Sequence, residues 1–371
     1  MPGRRVGRLV VPVVCVLLAG CSLWGGRLMP HSTRPVVKIG LVAPFERRYR
    51  TLGYEVLYAV RWAIRERNDA GGIAGTAVEL VALNDNDDPA DAALQAKKLA
   101  LDADVMGVIG PFSPGTLAGA ALSYSESGLP AIVPATCTLP VQALGGVFCF
   151  GADADSLSQG IIDRLPAGAQ VAFLRAGDGP LADPLAPAAQ RVFDVPLDDG
   201  AVDELRARPP DACLYEGDVL GAADALRQIR QAGIDAPLWG GPSLARTQLA
   251  QIAGDAAAGT CYAMTKPAWA DLSAGSAFAD GYRALSGSAP GPWAALAYEA
   301  TVLLLDALER EIRQGGQPTR LGVQAQLQQA AGVDGQSVFV AGRRRQADVR
   351  VYCYDAGEPY PGHLLDPKSL E

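Results

Sequence analysis

Residues 105–138, VMGVIGPFSPGTLAGAALSYSESGLPAIVPATCT, set a pattern that the rest of the chain has to accommodate. Val105 to Ile109 is a short apolar run with β-branched residues, ending in Gly110-Pro111. Ser113 then precedes Pro114, placing a capping hydroxyl before a proline at the first helical position. A helix of small residues runs to about Ser127, Gly128 stops it, and Leu129 to Val133 forms the next strand. That strand opens into Pro134-Ala135-Thr136-Cys137-Thr138, a loop of hydroxyls and accessible backbone. In a doubly wound parallel sheet two such loops lie side by side at the carboxyl ends of neighbouring strands, where these folds bind ligands. The amides of the helix start add a place for an anionic group. Taken alone, the stretch is equally compatible with ordinary strand–helix connections, so the remaining chain has to decide.

Upstream, Val36 to Val42 reads as a strand and Leu52 to Asn68 as a helix with Val56, Val60 and Ala63 on one stripe. Ala77 to Leu83 is a second strand, and Pro89 to Asp102 a helix. Strands alternating with helices of this length imply a parallel sheet with helices on both faces. After Phe148-Cys149-Phe150-Gly151 the pattern restarts. Strands at Gln170 to Arg175, Arg191 to Val195 and Ala212 to Tyr215, with a clear helix from Leu220 to Ala232, mark a second α/β unit. Pro292 to Gln314 is a long helix, apolar nearly all round in its first half and hence buried. The chain closes with strand-like Ser337 to Val340 and Asp348 to Tyr354 around Arg343-Arg344-Arg345, read as a solvated hairpin tip.

The 371 residues suffice for two domains. A net charge of −8 argues against a nucleic-acid partner. Only His31 and His363 are present, both in expected tails, which excludes a histidine triad or histidine metal site in the folded body. No HExxH, P-loop, GxSxG or CxxC occurs. Asp85, Asp87 and Asp88 crowd one turn, but their spacing fits no EF-hand, and helix capping before Ala90 explains them better. No enzyme activity, cofactor or metal is expected. The cysteine near the second loop, Cys137, has no histidine to activate it.

At the N-terminus Arg4, Arg5 and Arg8 precede the apolar run Leu9 to Leu18, followed by Leu18-Ala19-Gly20-Cys21. This resembles the lipobox of bacterial lipoproteins, with residues 1–20 a signal peptide, Cys21 lipidated, and residues 21–35 a tether. Loss of residues 1–20 removes three arginines, leaving 29 basic against 40 acidic side chains and a net charge of −11. The implied location is the cell envelope, lipid-anchored on a periplasmic or extracytoplasmic face. In that oxidising setting the five remaining cysteines, Cys137, Cys149, Cys213, Cys261 and Cys353, offer disulfides. Cys137 and Cys149, flanking one loop, are the best candidate pair; small buried thiols are the alternative, and the odd count leaves at least one unpaired.

Landmarks along the body then resemble one family. They are VKIGLVAPF, ERNDAGGIAG, VELVALNDNDDPADA, VMGVIGPFSPGTLA, SGLPAIVPATCTLP, LRQIRQAGIDAPLWGG, IAGDAAAGTCYA and PWAALAYEA, in order across residues 36–356. The chain is identified by them as similar to type I periplasmic binding proteins of the leucine/isoleucine/valine-binding branch. The resemblance implies an α/β fold of two doubly wound parallel-sheet lobes joined by three crossovers. Lobe one would comprise 36–151 plus 269–335, lobe two 152–268 plus 336–356, and 357–371 a C-terminal tail. The crossovers would fall near Gly151, Pro267-Ala268 and Gly335-Gln336. It also implies a small-molecule ligand, an amino acid or relative, captured by hinge closure and delivered to an ABC transporter permease.

The residues the resemblance assigns to the ligand are Phe112, Ser113, Gly115 and Thr116 in the first loop, Ala135, Thr136, Cys137 and Thr138 in the second, and Tyr215 and Asp218 on lobe two. Thr136 alternatively caps a turn, Tyr215 is a core residue, and Asp218 caps the helix near Leu220. Several positions depart from the family pattern. The serine position holds Pro114, the aromatic of the first loop falls at Leu52, the first loop of lobe two is 177–181, and the acid for the ligand ammonium falls at Pro242. A buried ammonium without a carboxylate is costly, so a second reading stands beside the first: a lipoprotein of the same fold with a degenerate pocket, acting as a scaffold or regulator through a protein or cell-wall partner.

Overall fold

The computed structural model describes residues 34–140, 144–166, 168–175, 192–196, 200–265, 274–332, 335–345, 347–355 and 363–364. The N-terminal segment with Cys21 and His31, the loop at 177–181, the crossover at Pro267-Ala268 and most of the tail at 357–371 lie outside the described residues. Residues Val36–Glu371 form one compact unit.

Sheet one begins with β1 (Val36–Ala43), β2 (Ala77–Asn84), β3 (Val105–Ile109), β4 (Ala131–Val133) and β5 (Val147–Cys149). Late in the chain it gains β11 (Phe339–Val340) and β12 (Arg343–Arg344), giving the order β11-β12-β5-β4-β3-β1-β2. All neighbours are parallel except β11 on β12. The connecting helices are α1 (Arg50–Asp69), α2 (Pro89–Leu101) and α3 (Pro114–Ser127).

β1 shows why the sheet is covered on both sides. Val37, Ile39, Leu41 and Ala43 join the core that contains Val56 and Val60 of α1, whereas Val42 joins Ala92, Ala96 and Leu117 of α2 and α3. Two buried faces are the normal condition of a parallel sheet. α3 is defined by its ends. Ser113 and Thr116 form a capping box with Pro114 at the first helical position, and Gly128 closes the helix at φ 62°. Asp88 caps α2, accepting from the amides of Ala90 and Asp91 at 2.8 and 3.0 Å.

Sheet two comprises β6 (Val171–Arg175), β7 (Val192–Pro196), β8 (Ala212–Glu216), β9 (Leu238–Gly240), β10 (Cys261–Thr265), β13 (Val349–Cys353) and β14 (His363–Leu364). Its order is β14-β13-β10-β9-β8-β6-β7, with β13 and β14 antiparallel to their neighbours. Its helices are α4 (Ala154–Ile162), α5 (Ala201–Ala207), α6 (Val219–Gln231) and α7 (Gln248–Ala253). The chain then returns to sheet one, where α8 (Ala274–Ser286) and α9 (Pro292–Gly315) pack on α1 and α10 (Arg320–Gln328) packs on α9. Arg67 of α1 pairs with Asp306 and Glu309 of α9.

Three sequence expectations need correction. The third passage between the sheets does not fall at Gly335-Gln336. Phe339 packs on Phe148 and Phe150 at ring distances of 5.0 and 6.2 Å, and Arg343 continues the parallel ladder beside Cys149. Sheet one therefore keeps the chain until after Arg344, and the passage lies between there and Val349. The arginines of this turn are not a solvated tip either. Arg343 donates to the carbonyls of Cys137 and Leu139 at 3.1 and 2.8 Å, and Arg344 pairs with Glu299 at 3.2 Å while stacking 4.2 Å from the Phe150 ring. His363-Leu364, placed in a tail by the sequence, pairs along Tyr352 and Cys353.

The first two passages between the sheets are tied together. The Ala152 amide, just after β5, donates to the Thr265 hydroxyl at the end of β10 across 2.7 Å. A side chain at Gly151 would put its Cβ 2.5 Å from the Ala135 carbonyl oxygen, so only glycine lets the strand pass that close to the second loop.

Candidate ligand-binding cleft

Both sheets run in the order 2-1-3-4-5 over their first five strands, so the direction of winding reverses beside β1/β3 in one and β6/β8 in the other. The carboxyl ends of strands at such a point are where open α/β sheets leave a crevice. The two crevices face each other. A cleft of about 890 Å³ lies between them, lined from sheet one by Asp87, the segment Phe112–Gly115, Ala135, Thr136, Thr138 and Trp293. From sheet two it takes Tyr215–Gly221, Gly241–Ser243 and Arg246. The volume falls within the range of small-molecule sites.

The sequence-assigned residues divide into two sets. Phe112, Ser113, Gly115, Ala135, Thr136, Thr138, Tyr215 and Asp218 line the cleft. Thr116 and Cys137 do not. Thr116 is buried, and its hydroxyl lies 2.9 Å from that of Ser113 while its amide donates to the Ser113 hydroxyl, so it completes the cap of α3. Cys137 is paired with Cys149 across a Cα separation of 5.9 Å, and the bridge turns its sulfur toward β5 instead of the cleft. A second bridge joins Cys261 and Cys353, register partners on β10 and β13, and Cys213 is a buried thiol. Leu52 also differs from its assigned place: it lies in the first turn of α1 and is buried in the core.

Asp218 is more committed than the resemblance implies. One carboxylate oxygen accepts from the amides of Leu220 and Gly221 at 2.9 and 2.8 Å, capping α6, and the other accepts from the Tyr49 hydroxyl at 2.7 Å. Burial pushes this carboxyl up, but the Gly221 amide, the Tyr49 hydroxyl and the Leu220 amide outweigh it, and the group titrates below the usual range. Burial first, and then the bond to Asp218, push the Tyr49 phenol up to about 12. The Tyr215 hydroxyl donates to the Asp218 carbonyl at 2.9 Å, which fixes the loop after β8.

Tyr49 belongs to lobe one and Asp218 to lobe two, so their bond spans the cleft. Gln248 of α7 donates to the Arg48 carbonyl in the same region, and Arg246 stands 4.0 Å from Asp87. These contacts hold the facing loops together without filling the space between them. At the floor Phe112 and Trp293 meet edge to face at 6.1 Å. Trp293 is held by the half-buried Glu55, which accepts from the Ala294 amide at 3.0 Å at the start of α9. Among the described residues no cluster of side chains suited to a metal ion occurs, and no helix is long and apolar enough to cross a membrane.

Comparison with known proteins settles the family. The model of the family described as periplasmic binding protein matches residues 36–195 and 198–354. The chain belongs to this family. Among curated relatives it is 26% identical over 281 residues to Leu/Ile/Val-binding protein homolog 1 of Brucella abortus, covering 67% of this chain and 69% of that one. Among solved structures it superposes on the branched-chain amino acid transporter substrate-binding protein of Streptococcus pneumoniae in complex with isoleucine. The TM-score is 0.78 at 22% identity, covering 89% of this chain and 98% of that one. A leucine-binding protein of Thermotoga maritima gives a TM-score of 0.76 at 21% identity, with 89% and 99% covered. The fold is that of type I periplasmic binding proteins.

Among the residues of the cleft region that escaped sequence reasoning are Tyr49, Glu216, Trp293 and Arg246. Tyr49 sits in a short turn, Arg47–Tyr49, whose function depends on a partner 169 positions away. Glu216 lies between Tyr215 and Asp218, so the neighbourhood was found but not the residue. Trp293 opens the landmark PWAALAYEA, where its burial was read and its exposure to the cleft was not. Arg246 lies four positions past Pro242, and no local signal marks it.

Proposed function

We propose that this protein is a lipid-anchored, extracytoplasmic solute receptor. Cys21 carries the anchor, and the two lobes close on an amino acid or related small polar ligand and present it to the permease of an ABC importer. The observation that carries this reading is the cleft itself: strand-end loops of two separate sheets face one another, and two of the passages between those sheets meet at one hydrogen bond. Opening and closing about such passages is how a two-lobed receptor traps a solute. The two disulfides agree with an oxidising compartment, and the relatives named for leucine, isoleucine and valine support an amino acid or related molecule as the ligand.

Phe112, Ser113, Gly115, Ala135, Thr136 and Thr138 would hold one end of the ligand and Tyr215 and Asp218 the other. Asp218 would then act through its bond to Tyr49, closing the lobes. A thermal-shift screen of the purified chain against amino acids, short amides and carboxylates tests the reading. A ligand at about 100 times its dissociation constant stabilises the fold by about 2.7 kcal/mol, which raises the melting temperature by roughly 5 °C. A shift confined to one chemical class is the expected outcome. No shift across the whole panel would contradict it and leave a scaffold or regulator bound to a protein or cell-wall partner.

A further inference from the structure

Arg246 is a buried cation on the cleft wall, and its surroundings leave one of its donors unmet. It is 7% exposed, lines the cleft, and its Nε has no hydrogen-bond partner. Its ion pair with Asp87 is long, 4.0 Å, the Tyr49 ring lies at 5.0 Å, and the Asp85 and Glu55 carboxyls feel its charge without a hydrogen bond to it. The position is not free to relax. The Tyr354 hydroxyl donates to the carbonyls of Leu244 and Arg246 at 2.6 and 2.8 Å, pinning this turn to the end of β13. A guanidinium has five donors in a fixed fork, and burying it is costly unless they are met.

The opposite wall repeats the theme. The Trp293 indole lines the cleft with its Nε1 buried and without an acceptor. Gly115, at the start of α3, also faces the cleft, where the helix leaves amides without intrahelical partners. Donors therefore converge from both lobes. Of the acids on the cleft wall, Asp218 is committed to α6 and Tyr49, Asp87 stands beside Arg246, and Glu216 is buried in the last position of β8, while Pro242 stands where the family places the acid for an ammonium group.

We infer that the ligand carries a carboxylate that pairs with Arg246, separate from any anionic group held at the start of α3. This makes the ligand class small dicarboxylates, acidic amino acids among them, and not the branched aliphatic amino acids for which the relatives are named. The inference rests on the solute-receptor reading above and narrows it.

Calorimetric titration of the full chain with L-glutamate, glutarate, L-glutamine and L-leucine separates the two. L-glutamate or glutarate is expected to bind at least tenfold more tightly than either neutral compound. Arg246→Met should reduce that preference below threefold, and Arg246→Lys should restore part of it. If Arg246→Met fails to fold, the preference of the unmodified chain for L-glutamate over its neutral isostere L-glutamine still decides. Equal or tighter binding of L-leucine or L-glutamine, or an unchanged preference in Arg246→Met, would overturn this inference and leave the receptor reading standing. Absence of binding by all four up to millimolar concentration, together with a silent thermal-shift panel, would overturn both.

Discussion

Asp85 and Glu55 are carboxyls that lobe one buries. Burial pushes each up to about 7, against the partial relief of the Asp87 amide for Asp85 and of the Ala294 amide for Glu55. In the unfolded chain both titrate near their ordinary values, at about 4. Below that pH both states are protonated and the contribution is fully present. Between about 4 and 7 the unfolded chain releases protons that the folded chain retains, so this part of the stability is lost as pH rises. Asp85→Asn isolates the effect, because the amide oxygen can still accept from the Asp87 amide, which stands 3.0 Å from Oδ1. Melting temperatures measured from pH 4.5 to 7.5 should fall less steeply in Asp85→Asn than in the unmodified chain, by on the order of a few degrees. Parallel curves would show that the Asp85 proton is not held. The sequence placed Asp85 in a capping turn. It is Asp88 that caps, while Asp85 turns inward, a choice set by the register of β2 and invisible in the local pattern.

At the scale of elements, each sheet has its own covalent tie. Cys137–Cys149 joins the loop after β4 to the end of β5, and Cys261–Cys353 joins β10 to β13. Neither crosses the cleft, so neither restrains the lobes. The bridges close stretches of 12 and 92 residues. On a chain-entropy view a loop of about 15 residues gains about 3 kcal/mol and one of about 100 residues about 4.7 kcal/mol. Replacing Cys261 and Cys353 by serine should therefore lower the urea midpoint more than replacing Cys137 and Cys149; the reverse order would show that local packing, and not loop closure, sets their worth. The first pair was open to sequence reasoning because its members flank one loop. The second required knowing that a C-terminal strand returns beside β10. Arg320 illustrates the same limit: it donates to the carbonyls of Ala100, Asp102 and Val105 at 2.9, 2.7 and 3.0 Å, closing the end of α2 from α10. Nothing near Arg320 in the sequence points more than 200 residues back.

For the whole molecule, alternation of strand and helix and the order of landmarks were enough to specify two doubly wound sheets, because periodicity and caps are local. The first-lobe half of the cleft was legible for the same reason, since Phe112 to Gly115 and Ala135 to Thr138 follow strands directly. The second half was legible only in outline: Arg246 there, like Trp293 and Tyr49 on the first-lobe side, comes to the cleft region through chain folding and not through any motif. The same distinction explains the misplaced third passage: two short strands of sheet one, β11 and β12, carry too little pattern to be assigned to a sheet. What remains is whether both halves act as one site. Hydrogen–deuterium exchange of the chain with and without a ligand from the thermal-shift screen measures this. Ligand should slow exchange together in 112–116 and 135–138 of one lobe and in 215–221 and 241–246 of the other. Protection confined to one lobe, or lying away from these segments, would contradict a cleft that closes on its solute.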